Sequence, residues 1–109
     1  MEMVELDLND ATVTNNEEAH RCEATVDGLL SIITYRRFPD QIVFEHTEVP
    51  VPLRRKGLAA KLTSTALDFA RANRLRVVPL CPYVASFVRK HPKYHDIVPA
   101  GDLQKIRSR

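Results

Sequence analysis

Polar and apolar residues alternate through HRCEATV (20–26), so Cys22, Ala24 and Val26 fall on one face and Arg21, Glu23 and Thr25 on the other. That period of two predicts a half-buried strand. Asp27 and Gly28 supply a tight turn into LLSIITYRRF, a β-branched and aromatic run suited to a longer, more buried strand. Pro39 and Asp40 turn the chain again into QIVFEHTEV (41–49), a further strand. A short strand around 11–14, with Asn15 and Asn16 as its turn, would complete an antiparallel meander. Pro50 and Pro52 remove two backbone donors, so sheet pairing should stop after Val49. From Gly57 to Asn73 the period becomes helical, with Leu58, Leu62, Ala66, Phe69 and Ala70 on one face. RVVPL (76–80) reads as a short strand. Pro82 opens a second helix with Val84, Phe87 and Val88 inward, and Pro92 stops it. The order β-β-β-β-α-β-α predicts an α+β fold, a mostly antiparallel sheet with the main helix packed on it.

The chain has 109 residues, 44% hydrophobic and 28% charged, which is one ordinary globular domain of 1–109, with its core at about 11–98 and short flexible termini. Three glycines exclude Gly-rich nucleotide loops, and no repeat is visible. No stretch approaches the roughly 20 apolar residues of a membrane helix. The start, MEMVELDLND, is acidic where a signal peptide is basic, so a cytoplasmic protein without membrane contact is expected. Cys22 and Cys81 form no C-x-x-C, and with four scattered histidines they give no metal-ligand spacing.

The net charge of +2 conceals an asymmetry. Residues 1–50 hold three basic and eleven acidic side chains, residues 51–109 thirteen basic and three acidic. A basic half implies an anionic partner, or else the two halves neutralise each other in the fold. The charge concentrates at VPVPLRRKGLAAKL, where Arg54, Arg55 and Lys56 stand beside the positive pole of a helix N-terminus. That placement costs stability unless an anion binds, which suggests a phosphate site; the alternative is a solvated basic turn. It is neither a P-loop nor a dinucleotide fingerprint, since the required glycines are absent.

The pattern R-x-x-G-x-A, here Arg54, Gly57 and Ala59 after a strand and opening a long helix, resembles the acetyl-CoA pyrophosphate loop of the GNAT superfamily of N-acetyltransferases. HTEVPVPLRRKGLA and VVPLCPYVASFVRKHPKYHDIV resemble its small single-domain branch of about a hundred residues, and the likeness covers about residues 11–98. It implies a reduced GNAT-like fold in which backbone N–H groups of Arg55, Lys56, Gly57, Leu58 and Ala59 cradle the pyrophosphate of acetyl-CoA. Thr47, Glu48 and Val49 would line the pantetheine arm through main-chain hydrogen bonds. There are departures. Only residues around 15–19 stand where the superfamily inserts acceptor-shaping helices, Cys81 and Pro82 replace a common asparagine, and Arg89 falls where a tyrosine acid is frequent.

Cys81 precedes Pro82 and should sit at the N-cap of the second helix, where the dipole favours thiolate. It could accept an acetyl group from a thioester, or be a small buried cap. His46 alternates with Ile42 and Phe44 and should share their side, as a core histidine or a proton relay. His20, His91 and His95 fall at element ends, where solvated rings are expected. Three functions follow from these residues. The first is acetyl transfer from acetyl-CoA to an amine acceptor of unspecified identity, by direct attack with His46 or Glu48 as base or through Cys81. The second is a coenzyme A-binding module with little turnover. The third is a small basic nucleic-acid-binding domain, against which the lack of a stacking platform on LLSIITYRRF argues. The oligomeric state is left open.

Overall fold

The computed structural model describes Leu8 and residues 11–107. Five strands, β1 (Thr14–Asn16), β2 (Arg21–Val26), β3 (Leu29–Arg37), β4 (Gln41–Glu48) and β5 (Arg76–Pro79), form one sheet in the order β1-β2-β3-β4-β5. The first three pairings are antiparallel and β4–β5 is parallel. Helix α1 (Leu58–Ala72) makes the crossover between those parallel strands, α2 (Pro82–Lys90) follows β5, and a 3-10 turn (Pro92–Ile97) leads to α3 (Ala100–Arg107). The α+β architecture anticipated from the periodicities is the one found.

Two boundaries differ. The first strand lies at Thr14–Asn16, and the chain turns at 17–20 instead of at the asparagines. Their side chains explain it: Asn15 Oδ1 accepts from the Tyr35 hydroxyl (2.7 Å), and Asn16 Oδ1 accepts the Ala19 N–H (3.2 Å) inside the turn. The C-terminal segment, expected to be a flexible tail beyond residue 98, is helix α3 as far as Arg107, with Ile106 buried against the core. The acidic N-terminal stretch otherwise lies outside the described residues.

The core occupies one face of the sheet. Cys22 and Ala24 of β2, Ile33 and Tyr35 of β3 and Ile42 and Phe44 of β4 meet the apolar faces of α1 and α2 in a single cluster. Helix α1 packs across β2 to β5, and α2 packs against β4 and β5. On the opposite face Leu30, Ile32 and Thr34 lie outside that core, and Leu30 is exposed.

One irregularity decides which residues of β4 face where. The β3–β4 register shifts between Thr34 and Tyr35, which pair with His46 and Phe44 respectively, leaving Glu45 as the extra residue of a bulge. A bulge reverses the alternation beyond it. Thr47 therefore pairs with the core-facing Ile33, whereas His46 pairs with Thr34 and is exposed. The expectation that His46 shares the side of Ile42 and Phe44 fails for this reason. His91 and His95 also depart from it, being half-buried, with ring nitrogens on the Phe87 carbonyl (2.7 Å) and the Val88 carbonyl (2.8 Å). His20 is exposed as expected.

Candidate functional site

Strands β4 and β5 run together only from Gln41–Arg76 to Phe44–Pro79. Pro79 cannot donate to a longer ladder, so the strands part there while β4 continues against β3 to Glu48. The Cys81 N–H crosses the base of the gap to the Phe44 carbonyl (3.0 Å). Above it opens a cavity of about 840 Å³, lined by the end of β4, the loop into α1, the first turn of α1, Leu30 and Tyr83.

The loop is tied by its own cations. After Val49 the chain makes a 3-10 turn (Val51–Leu53). Arg54 Nε then donates to the Val49 carbonyl (2.8 Å), and Lys56 Nζ donates to the Pro52 carbonyl (2.9 Å). Arg55 (φ 62°) and Gly57 (φ 86°) both take left-handed backbone, which is costless only for the glycine. This double reversal points the chain into α1 with Gly57 at the N-cap. Gly57 offers no side-chain cap, and the first turn carries no acidic residue. The Lys61 N–H is the one that reaches the Gly57 carbonyl (3.0 Å), so the N–H groups of Leu58, Ala59 and Ala60 precede the first helical bond. Three donors, a positive helix pole and the exposed Arg54 and Arg55 thus stand at one end of the cavity. The arrangement fits a diphosphate at that end and an extended arm along β4.

Of the residues singled out from sequence, Thr47, Glu48, Val49, Arg54, Arg55, Gly57, Leu58 and Ala59 all line this cavity. Lys56 lies just outside its lining. Cys81 is the N-cap of α2, as its place before Pro82 predicts, and is buried, with Sγ 3.3 Å from Thr47 Oγ1. His46 stands apart on the other sheet face. Leu30, Ala60 and Tyr83 also line the cavity, although their sequence positions had given them no part in it. Tyr83 had one available signal, its position two residues after Cys81 in the first turn of α2. Burial, and then the nearby Cys81, push its phenol above the ordinary tyrosine range. Cys22 has a different setting: burial, with Glu23 nearby, pushes its thiol up to about 12. Among the described residues no group of three or more His, Cys, Asp or Glu could hold a metal ion, and no helix is long and apolar enough to cross a membrane.

Residues 21–97 match the family model described as GCN5-related N-acetyl-transferase. Protein NATD1 of Bos taurus is 36% identical over 63 residues, covering 57% of this chain and 56% of that protein. Protein NATD1 of Gallus gallus is 33% identical over 63 residues, covering 57% of each. In Xenopus tropicalis the identity is 35% over 48 residues, 44% of each. The chain thus spans about half the length of the curated relatives it matches. The family match runs from β2 through the 3-10 turn after α2 and so includes both walls of the cavity: the chain belongs to the GCN5-related N-acetyltransferase family.

Proposed function

We propose that this chain binds acetyl-CoA in the cleft between β4 and the start of α1 and moves the acetyl group to an amine acceptor. The observation that carries the reading is the start of α1: three N–H groups before the first helical bond, no capping side chain and no acidic residue, opening on a cavity of about 840 Å³. In this reading the amides of Arg55 through Ala59 hold the pyrophosphate, and the exposed Arg54 and Arg55 guanidiniums add positive field. Thr47 to Val49 guide the pantetheine arm toward Cys81.

Direct transfer requires a neutral amine against the thioester carbonyl. The carbon–nitrogen bond forms, the carbon–sulfur bond breaks, and the nitrogen gives up a proton to a base. Glu48 and His46 are both exposed and share the helix-free sheet face, so an amine approaching from that face meets them first. A relay through Cys81 is the alternative route, in which one thioester replaces another before the amine attacks. The acetylated amine and coenzyme A, its sulfur protonated, leave by the same open mouth.

Calorimetric titration with acetyl-CoA, combined with intact-mass measurement, tests the reading. Saturable binding is expected in wild type and its loss in Gly57→Val, whose side chain is strained at this φ and would fill the anion's space. Binding that survives in Gly57→Val would remove the main support. An added acetyl mass that disappears in Cys81→Ala would select the relay.

A further inference from the structure

Arg54, Arg55 and Lys56 stand in a row before α1, and the loop itself uses the first and the last of them. We propose that Arg55 distinguishes coenzyme A from its 3′-dephospho form, its guanidinium taking the phosphate on the ribose 3′-oxygen. The inference rests on the coenzyme reading above and adds the one phosphate that the amides at the start of α1 leave unassigned.

The fold holds Arg55 from both sides. Before it, the Arg54 N–H donates to the Val51 carbonyl (3.2 Å) and Arg54 Nε to the Val49 carbonyl (2.8 Å). After it, the Lys56 carbonyl accepts the Leu8 N–H (2.6 Å), and Lys56 Nζ donates to the Pro52 carbonyl (2.9 Å). Between these clamps Arg55 sits at φ 62°, a left-handed backbone that costs an arginine stability and a glycine nothing. Its side chain is exposed, lines the cavity and takes no hydrogen bond or ion pair among the described residues. The root of the side chain is therefore fixed in advance while its fork is left for a partner. A cation that met only water would gain nothing from so costly a backbone. Lys61, the next cation along, is half-buried in α1 and outside the cavity lining.

The ligand's own chemistry supplies that partner. The amides before the first helical bond suit a diphosphate. The anion that remains on coenzyme A is a phosphomonoester, close to doubly charged at neutral pH, with three terminal oxygens. A guanidinium stays charged throughout and meets two such oxygens with two parallel N–H donors. With the pantetheine arm along β4 and the diphosphate at α1, the ribose comes next, at the end of the cavity where Arg55 stands.

Calorimetric titration of the full chain with coenzyme A and with 3′-dephospho-coenzyme A gives a ratio of affinities. Wild type should prefer coenzyme A by about tenfold, the worth of one charge-assisted contact at an open site. Added salt should shrink that preference. Arg55→Gly deletes the guanidinium and relieves the left-handed residue, so the protein stays folded, as thermal melting checks, and the preference should vanish. Lys61→Ala deletes a nearby charge and should keep it. A preference retained in Arg55→Gly overturns the proposal, because Arg55 then serves both coenzymes alike. So does a preference that falls as far in Lys61→Ala, which would make it an effect of the general field. A wild type that binds both coenzymes equally defeats the assignment of Arg55 and leaves the coenzyme cleft standing; one that binds neither defeats the cleft and the assignment with it.

Discussion

The two ends of α1 are built on opposite principles. At its C-terminal end the polar groups satisfy one another. The Tyr94 hydroxyl donates to Asp68 (2.9 Å), Arg71 grips Asp96 through two nitrogens (2.6 and 2.8 Å), and Asn73 Nδ2 closes on the Phe69 carbonyl (2.9 Å). The residues after α2 are thereby latched to α1, with Tyr94 almost wholly buried. At the N-terminal end Gly57 gives the helix no side-chain cap, among the described residues Arg54 and Lys56 bond to carbonyls of their own loop and the strand end before it, and Leu30, Val51 and Tyr83 expose apolar surface near the cavity. One end spends its polar groups on stability, and the other leaves them facing a cavity. A helix start whose first amides meet no capping side chain among the described residues is a place where an anionic ligand can supply the acceptors.

That contrast predicts separable variants. The largest effect belongs to the latched end: Tyr94→Ala should cost about 3–5 kcal/mol of stability in chemical denaturation, as for other large buried aromatic side chains. Acetyl-CoA affinity should be unchanged wherever the protein is still folded. Loss of affinity in a folded Tyr94 variant would mean that the two ends are coupled.

The next effect concerns pH. The folded pKa of Cys22 is raised to about 12 from an ordinary 9.0, so the fold prefers the neutral thiol. Its contribution is complete below about pH 9 and disappears as pH rises toward 12. Melting temperature should fall across that window, and less steeply in Cys22→Ala. An identical slope in the variant would show that Cys22 takes no part.

The smallest effect is at Ser31, whose buried hydroxyl has no hydrogen-bond partner among the described residues. Ser31→Ala should stabilise the protein by up to about 1 kcal/mol, because an unsatisfied buried hydroxyl is lost with little change of shape. A destabilised Ser31→Ala would show that the hydroxyl has a partner after all.

Much of this was legible in the sequence because it depends on local rules. The long strand, the helix from Gly57 to Asn73 and the cap at Cys81 follow from periodicity, from glycine and proline chemistry and from charge placed against a helix pole. What escaped depends on pairing. A bulge leaves no mark in QIVFEHTE, so strict alternation assigned His46 to the core, whereas the register assigns Thr47. The asparagine turn was misplaced because Asn15 and Asn16 use their side chains at long range and within the following turn while their backbones remain in the strand. Helix α3 was missed because its apolar side is narrow, with Leu103 and Ile106 as its contacts to the core. Tyr83 was passed over because a single exposed aromatic residue is legible as cleft lining only once the opposite wall is known.

The central claim, that the uncapped start of α1 is an anion site, is tested most directly by placing a carboxylate there. Ala59→Glu puts a negative charge on the first turn of α1, in the cavity wall. A carboxylate at a helix start is favourable by about 0.3–1 kcal/mol, so thermal stability should hold or rise. The same charge occupies and repels the diphosphate site, so acetyl-CoA binding measured by calorimetry should disappear. A protein as stable as wild type that no longer binds acetyl-CoA is the expected result; a stable Ala59→Glu that binds it as tightly as wild type contradicts the account.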